Sequence, residues 1–377
     1  MSTLKSFADP TVAVYREEAR LWIQSNLPPQ WATQSPATFE EDIARRWEWD
    51  RLRGAGGYAG IPWPKVFGGR GEGPIEEYLF FEEAAKAHAP NTANSIGWNL
   101  AGPAIMEYGT PYQQERFLPK IILGEELWCE GLSEPNAGSD LASIATRARK
   151  VPGGYQINGQ KIWTSRAQFA HWVFLAVKTS DQPRRRNLSV LLVDMKQPQI
   201  TVTPINQISE GPEFNQVFFD GAFAAEEHLL GDENGGWGII GLSHFRQQRR
   251  VFDAVRWYVL IAETLDQLAH CVAQTGNRQR QRLVELQAQA AALRWHMMRM
   301  TEMMAQEKQW LEPVQILRVA WSELWQAITE CGIHTGCLEH EDYWRFKYLD
   351  TRSVTIHGGT AQIQRNVIAD RVLKLPR

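Results

Sequence analysis

The chain has 377 residues, 44% of them hydrophobic and 22% charged, as expected of a globular protein with a sizeable core. The formal net charge of −3 gives no reason to expect nucleic acid or a membrane surface as a partner, and the four scattered cysteines suggest no metal site. No export signal is visible and no apolar run approaches the roughly 20 residues of a membrane helix, so we expect a cytoplasmic protein.

The first part of the chain has the pattern of helices. Asp9-Pro10 combines a capping residue with a proline, and apolar residues then recur at helical spacing until Pro28-Pro29. The glycine-rich stretch 68–71 predicts a turn. Its glycine spacing is not that of a dinucleotide-binding loop. These patterns predict an N-terminal all-α domain over residues 1–127.

From about residue 128 the apolar period changes to that of strands. Tyr155 to Trp163 alternates around Asn158-Gly159, a dipeptide typical of tight turns, and therefore predicts a β-hairpin there. Short runs rich in Val, Ile and Phe follow, at 172–177, 190–193, 200–202 and 217–219. They predict a middle β-sandwich or barrel over residues 128–228.

The last part of the chain again has helical periodicity. Amphipathic runs cover roughly 236–270, 279–309 and 313–334, and a final helix is expected at about 360–373. They predict a C-terminal four-helix-bundle domain over residues 229–377. The fold class is therefore a multi-layer α+β protein with a sheet domain between two helical ones.

Two motifs in the middle segment carry the chemistry. The first, 134–140, joins small residues, hydroxyls and acids in a turn that can bring backbone N–H groups close to a polar ring edge or a phosphate. The second, 161–165, ends in an indole and two hydroxyls. Together they would offer a flat face and hydrogen-bond donors to a planar heterocycle.

In this order, motifs 134–140 and 161–165 resemble the flavin-binding β-domain of the acyl-CoA dehydrogenase family. Further similarities are Trp63-Pro64-Lys65, the segment 234–237 and the tail 358–366. The succession of helical, sheet and helical segments also resembles this family over essentially the whole chain. The resemblance implies FAD as cofactor and oxidation of an acyl thioester, bound to CoA or a carrier protein, to the 2-enoyl thioester. In such enzymes a carboxylate takes the α-proton and the flavin accepts the hydride.

The resemblance assigns the flavin contacts to five residues of the middle segment. Leu132 and Ser133 would contact the pyrimidine edge of the ring. Trp163 would pack on the ring, and Thr164 and Ser165 would donate hydrogen bonds near N5 and O4. The alternative for Trp163 is an ordinary residue of the sheet core.

Further contacts are implied outside these five residues. Ser139 would lie near the thioester or its pantetheine arm. Thr360 and Gln362 would contact FAD, often across a subunit boundary, although a helix cap and a surface amide explain them equally well. The Arg-x-x-Phe-Gly segment that holds the FAD pyrophosphate in many relatives is missing, and Arg278 offers only generic positive charge. The short span 275–282 resembles a bacterial branch that includes steroid-degrading heterotetramers.

The catalytic base departs from the family pattern. One branch carries its glutamate where this chain has Gly358, and the other where it has Gln247, or the next residue, which is also Gln. A carboxamide takes no proton at neutral pH, but Gln247 can still bind the substrate through a hydrogen bond to the thioester carbonyl. His357 is a candidate substitute, because imidazole titrates in the useful range, but it is equally a packed or surface residue. Arg249 with Arg250 could contact CoA phosphates or form a solvated helix face.

Three hypotheses follow for the function. The first is an FAD-dependent oxidoreductase that acts on an acyl thioester, with its base at another position or on a partner chain. The second is a subunit that completes the FAD or substrate site of a catalytic partner in a heteromeric enzyme. As to assembly, we expect a homo- or heteromeric dimer or tetramer. The third is a tailoring flavoenzyme with altered chemistry. An electron-transferring flavoprotein and dioxygen are both open as electron acceptors.

Overall fold

The computed structural model describes residues 4–209, 211–241, 251–272, 277–308, 311–335 and 340–376. The chain divides into two compact units, each assembled from separated segments. The helical unit combines Met1–Ala32, Glu72–Ala89 and Arg249–Arg377. The sheet unit combines Thr33–Gly71 and Pro90–Gln248. The helical, sheet and helical succession predicted from the sequence is confirmed, whereas the domain boundaries at 127 and 228 stay a prediction.

The main described helices, in chain order, are α1 Val12–Asn26, α2 Phe39–Ala55, α3 Pro74–Lys86, α4 Gly102–Tyr108, α5 Pro111–Ile122, α6 Val251–Val272, α7 Asn277–Ala305, α8 Leu311–Ile333, α9 Glu341–Asp350 and α10 Ala361–Val367. Local sequence explains their ends. The α1 helix follows an Asp9 side chain that accepts the N–H of Thr11, and it stops before Pro28-Pro29. The α5 helix begins with Pro111 behind a reciprocal capping box.

The described strands are β1 Trp128–Gly131, β2 Arg147–Val151, β3 Gly154–Ser165, β4 Trp172–Lys178, β5 Leu188–Asp194, β6 Ile200–Ile205, β7 Phe214–Ala225 and β8 Leu229–Leu230. They form one hydrogen-bonded sheet in the order β6-β7-β3-β2-β4-β5-β8, with β1 parallel to β4. Both faces of β4 and β5 are buried, because alternate residues of these strands belong to two different core clusters. This double burial explains why their sequences are almost continuously apolar.

The hairpin predicted at Asn158-Gly159 is wrong. The β3 strand continues through these residues, and its pairing with β7 shifts by one residue there. Gly159 has a φ of +149°, and a Cβ at this position would lie 2.6 Å from the Thr146 hydroxyl oxygen. The dipeptide therefore serves a bulge and a close approach rather than a turn, since a glycine suits both.

Candidate functional site

Trp163 lies in a second irregularity of β3, where the register with β7 shifts between Lys161 and Thr164. Its φ is +62°, a left-handed conformation that is rare for a bulky residue and costs about 1–2 kcal/mol. The indole is 56% exposed and contacts the edge of Phe214, with ring centroids 6.2 Å apart. A strained bulge thus holds this side chain out of the sheet core, as bulges do beside many binding sites.

A buried ion pair lies directly beneath this bulge. The Lys161 ammonium, in a fully buried side chain, is 2.8 Å from Glu134 Oε1 and donates to the Leu132 carbonyl at 3.0 Å. Burial by itself would raise the pKa of Glu134, but Lys161 and neighbouring N–H donors hold that pKa below its ordinary value. Burial lowers the pKa of Lys161 to about 8, so both groups are charged at neutral pH.

The loop that carries Glu134 is therefore joined to the end of β3. The Ile162 N–H donates to the Ser133 carbonyl at 2.9 Å, which continues the connection that Lys161 makes to Leu132. Leu132 is buried and Ser133 half-buried. The structure thus brings both residues to the strand that carries Trp163, and their contact with a flavin ring stays a prediction.

Thr164 and Ser165 complete this cluster. Thr164 is 1% exposed, and its hydroxyl finds no hydrogen-bond partner among the described residues. Its carbonyl accepts from the Asn215 side chain at 3.0 Å, which fixes the backbone. Leaving a buried hydroxyl unpaired costs about 1–3 kcal/mol, so the site fits a ligand with hydrogen-bonding atoms at its edge. Ser165 is half-buried.

The motif loop extends from the buried Glu134 to an exposed far end. Ser139 is exposed, and the neighbouring Asp140 forms an ion pair with Arg184 of the β4–β5 connection. Ser139 is therefore placed on the surface side of the loop, where a substrate arm could reach it.

Arg166, which sequence reasoning missed, fastens the end of β3. Its side chain is 13% exposed, its guanidinium donates to the Ser95 hydroxyl at 2.8 Å, and its backbone N–H donates to the Glu213 carbonyl at 2.7 Å. Like Trp163, it has a positive φ, +55°. The only signal in the sequence was its place directly after the Thr-Ser pair.

The loop that Arg166 contacts is itself fixed by Asp50 of α2. This fully buried carboxylate accepts from the Thr92 hydroxyl and from the N–H groups of Ala93 and Asn94, at 2.9 to 3.0 Å. Burial raises the pKa of Asp50 to about 6. Arg166 thus connects the end of β3 to the loop that is held by the hydrogen bonds of Asp50.

Substituting Asp50 with asparagine is expected to change how stability depends on pH. The folded pKa of about 6 lies above the ordinary 3.8, so the folded state binds more protons than the unfolded state between these values. In the wild type, this carboxyl therefore adds stability as the pH falls from 6 to 4, by at most about 3 kcal/mol. Urea unfolding at pH 4, 5, 6 and 7 should show that the free energy of unfolding rises less between pH 6 and pH 4 in Asp50→Asn than in the wild type. The exposed Asp342→Asn is the control; parallel wild-type and Asp50→Asn profiles would contradict the assignment.

The remaining predicted residues belong to the helical unit. The Thr360 hydroxyl accepts the Ile363 N–H at 3.2 Å and caps α10, so the cap interpretation holds for this residue. Gln362, His357 and Arg278 are exposed, Arg278 on the first turn of α7. For these four residues the flavin or catalytic roles stay predictions.

Of the two positions where relatives carry the catalytic glutamate, the structure describes one. Gln247, like the predicted substrate contact Arg249, lies outside the described residues. Gly358 has a φ of +64°, and a Cβ placed there would have the Arg318 guanidinium as its nearest neighbour, at 3.8 Å. Arg318 donates to the His357 carbonyl. The position has space for a side chain but an unfavourable backbone and a cation beside it.

Within the described ranges no group of His, Cys, Asp or Glu side chains is arranged to hold a metal ion. None of the helices in those ranges has both the length and the apolar character to cross a membrane.

Three family models match the chain, described as the N-terminal, middle and C-terminal domains of acyl-CoA dehydrogenase, over residues 10–125, 129–221 and 234–373. A curated protein, acyl-CoA dehydrogenase IpdE1 from Mycolicibacterium smegmatis, is 35% identical over 97% of this chain and 98% of its own. The ChsE4–ChsE5 complex from Mycobacterium tuberculosis has a chain 25% identical, with a TM-score of 0.85, covering 99% of this chain and 100% of that one. PigA with FAD and proline, at 19% identity, shares the fold with a TM-score of 0.81, covering 97% and 98%.

Proposed function

Because the chain belongs to the acyl-CoA dehydrogenase family, we propose that it is an FAD-dependent oxidoreductase that introduces a double bond between C2 and C3 of an acyl thioester. This family membership confirms the resemblance read from motifs 134–140 and 161–165. The thioester is carried by CoA or by a carrier protein, and the protein acts in the cytoplasm.

One observation carries the proposal: the 56% exposed indole of Trp163, raised by a strained bulge beside an unpaired buried hydroxyl. FAD, when bound, supplies the hydride acceptor of the reaction. Trp163 provides the flat face and excludes water from it, while the Thr164 and Ser165 hydroxyls donate to the ring edge. Leu132 and Ser133 line the pyrimidine edge of the ring. These roles stay proposals of residue contacts.

The α-proton requires a base that neither family position supplies. Gln247 and Gly358 carry no carboxylate, so we place the base at another position or on a partner chain, with His357 as the candidate on this chain. Ser139, Gln247 and Arg249 are proposed to contact the substrate. Thr360, Gln362 and Arg278 are proposed to contact FAD from the helical segments.

Measuring FAD binding tests whether the flavin ring packs on the Trp163 indole. The wild type should purify yellow with one FAD per chain, and Trp163→Ala should bind FAD about 10- to 100-fold more weakly, because stacking on an aromatic ring contributes about 1–3 kcal/mol. Trp163→Phe should recover most of this loss. Trp295→Ala, which removes another exposed indole on α7, is the matched control. Unchanged FAD affinity in Trp163→Ala would refute the packing of the flavin on Trp163. A wild type unable to bind FAD would refute the proposed FAD-dependent function.

A second candidate role is that of a subunit in a heteromeric enzyme. It is favoured by the absence of a carboxylate at Gln247 and Gly358 and by the similarity to a chain of the ChsE4–ChsE5 complex. A homo- or heteromeric dimer or tetramer fits the first role, whereas only a heteromeric one fits the second; an electron-transferring flavoprotein fits either role as the electron acceptor. Native mass measurement after copurification distinguishes them, because a half-site subunit gains FAD only with its unlike partner. Anaerobic bleaching of the isolated protein by a saturated acyl-CoA would instead favour an enzyme active alone.

A further inference from the structure

Arg318 of α8 is a half-buried cation that has no counter-ion in the described part of the chain. Burial lowers the pKa of its guanidinium to about 10, so the group still carries its charge at neutral pH. No aspartate or glutamate among the described residues forms an ion pair with it. Buried charges in proteins are normally paired, because the lost hydration is otherwise uncompensated. The missing partner therefore has to come from outside the described residues.

The Arg318 guanidinium uses only part of its hydrogen-bonding capacity. One terminal nitrogen, Nη2, donates to the His357 carbonyl. The other, Nη1, is buried and has no acceptor among the described residues. Because a guanidinium can only donate hydrogen bonds, this unused edge is suited to an anionic oxygen of another molecule.

Trp321, about one helical turn further along α8, adds a second unpaired donor. The Arg318 guanidinium lies over its ring, 5.0 Å from the centroid. The indole is 6% exposed, and its Nε1–H finds no acceptor within the described ranges. Residues three apart on a helix share a face, so both donors belong to one side of α8. Glu323 of the same helix is already paired with Arg365, at 2.5 Å.

Aromatic rings and a second cation lie next to these two donors. Trp257 of α6 packs against Trp321 and Trp325, with 5.2 and 5.3 Å between ring centroids. The Lys347 ammonium of α9 lies 5.9 Å from the Trp325 ring centroid, and burial lowers its pKa. Such apolar surroundings reduce the local dielectric constant, which strengthens a hydrogen bond between Arg318 and an anion.

The space beside Arg318 is open toward the tail motif. Gly358 and Gly359 are exposed. Apart from its chain neighbours, a Cβ built on Gly358 would have no described heavy atom within 4 Å except Arg318 Nη2, at 3.8 Å. The position where one branch of the family carries a carboxylate is therefore empty of one in this chain, and it lies beside an unpaired cation.

We infer that Arg318 binds a carboxylate on the acyl part of the substrate, which makes the substrate a thioester of a dicarboxylic acid. The guanidinium Nη1 donates a charge-assisted hydrogen bond to this carboxylate, and the Trp321 ring supports the guanidinium plane. The acyl part comes within reach because a base has to approach the carbon that it deprotonates, and Arg318 contacts the backbone of the proposed base, His357. This assignment rests on the proposed function and specifies its substrate class.

The surroundings of Arg318 favour a carboxylate over a phosphate. The unpaired donors are one guanidinium edge and one indole N–H, set among aromatic rings. A phosphate carries more charge and more acceptor oxygens than these donors can satisfy. A carboxylate of a partner subunit would have the same chemistry as the proposed ligand, so the experiment has to separate these two sources.

The test compares acyl groups that differ only in charge. Glutaryl-, adipyl- and pimelyl-CoA are each paired with the CoA thioester whose far carboxylate is replaced by a carboxamide. In at least one pair the wild type should prefer the carboxylate about 10- to 100-fold in kcat/KM, the usual effect of a hydrogen bond to a charged group. Arg318→Gln should abolish this preference, mainly through KM, whereas Arg318→Lys should keep part of it. Arg345→Gln, which removes an exposed arginine of α9, should leave the preference unchanged.

The ratio within each pair distinguishes substrate binding from support of the loop that carries His357. If Arg318→Gln lowers kcat/KM equally for both members of every pair, the residue only holds that loop and the inference is wrong. Indifference of the wild type to the far carboxylate in all pairs would equally overturn it.

A binding measurement keeps the inference separate from the proposed function. Calorimetry with thioether analogues of each pair needs no turnover, because an analogue without the thioester carbonyl is not oxidised. The carboxylate analogue should bind more tightly to the wild type, and both analogues equally to Arg318→Gln. FAD-dependent oxidation without this discrimination would refute the inference alone, and discrimination in a protein that binds no FAD would refute the proposed oxidation. Native mass measurement addresses the other source: an assembly that Arg318→Gln dissociates, with the discrimination unchanged, would assign the carboxylate to a partner subunit and overturn the inference.

Discussion

Replacing Lys161 with methionine is expected to lower the free energy of unfolding by about 3–5 kcal/mol, the usual cost of leaving one partner of a buried ion pair alone. Lys161 is fully buried and Glu134 is 8% exposed, so water cannot compensate the remaining carboxylate. The carboxylate would keep only its backbone donors, Ala145 and Thr146. Urea unfolding of the wild type and the variant measures the loss.

Lys150 offers a matched control within the same sheet. Its ion pair with Glu226 has both side chains more than half exposed, so Lys150→Met should cost less than about 1 kcal/mol. Adding Glu134→Gln to Lys161→Met should recover part of the stability, because the buried charge is then gone. FAD affinity should also fall in Lys161→Met, since the ammonium holds the Leu132 carbonyl. Equal small losses for both lysine variants would show that the pair does not stabilise the loop.

Replacing Gln247 with glutamate is expected to raise the rate of acyl thioester oxidation by about 10²- to 10⁴-fold, the typical contribution of a general base. The reason is that Gln stands where one branch of the family carries its carboxylate. The register of this segment is uncertain by one residue, so Gln248→Glu is the companion variant. Anaerobic flavin bleaching with a saturated acyl-CoA measures the rate directly.

Two further variants sharpen this experiment. Gln24→Glu, at an exposed position of α1, adds the same charge away from any proposed site and should leave the rate unchanged. Gly358→Glu should gain less, because its backbone is left-handed and the Arg318 cation would hold the new carboxylate ionised and weakly basic. If neither glutamine variant gains activity while folded and loaded with FAD, the base is not missing from this segment.

The sequence predicted elements whose signals are local. Helix α1 has its start and stop in Asp9-Pro10 and Pro28-Pro29, and β4 is almost continuously apolar because both of its faces are buried. The course of β3 was not predictable in this way. Asn158-Gly159 suits a turn and a bulge alike, and the choice depends on pairing with β7, more than fifty residues later in the chain.

In the candidate site, too, contacts within the two motifs were predictable from the sequence, whereas contacts with distant segments were not. Ser133 directly precedes the first motif and Trp163 belongs to the second, and β2 with most of β3 separates the two motifs. The Ile162 N–H reaches the Ser133 carbonyl, so the order and spacing of the motifs were enough to predict that they meet. Arg166 and Asp50 act through contacts with the segment 92–95, which the chain reaches from far away and no local pattern announces. The conformation of Trp163 was equally hidden, because a positive φ has no signature in a residue that normally avoids it.

The helical unit begins and ends with the two extremes of the chain, which has a consequence for its biosynthesis. Lys5 donates to the Ala305 carbonyl at 2.6 Å and Ser6 to Glu302 at 2.8 Å, so the first residues pack on a helix made three hundred residues later. All of the sheet unit is synthesised before residue 249 is added. Helix α3 of the same unit also packs on α6 and α7, and at ordinary translation speeds it waits on the order of ten seconds for them. The nascent chain therefore carries a helix whose apolar residues are not yet covered, while its sheet can already be folded. Chaperones would bind the chain during this interval.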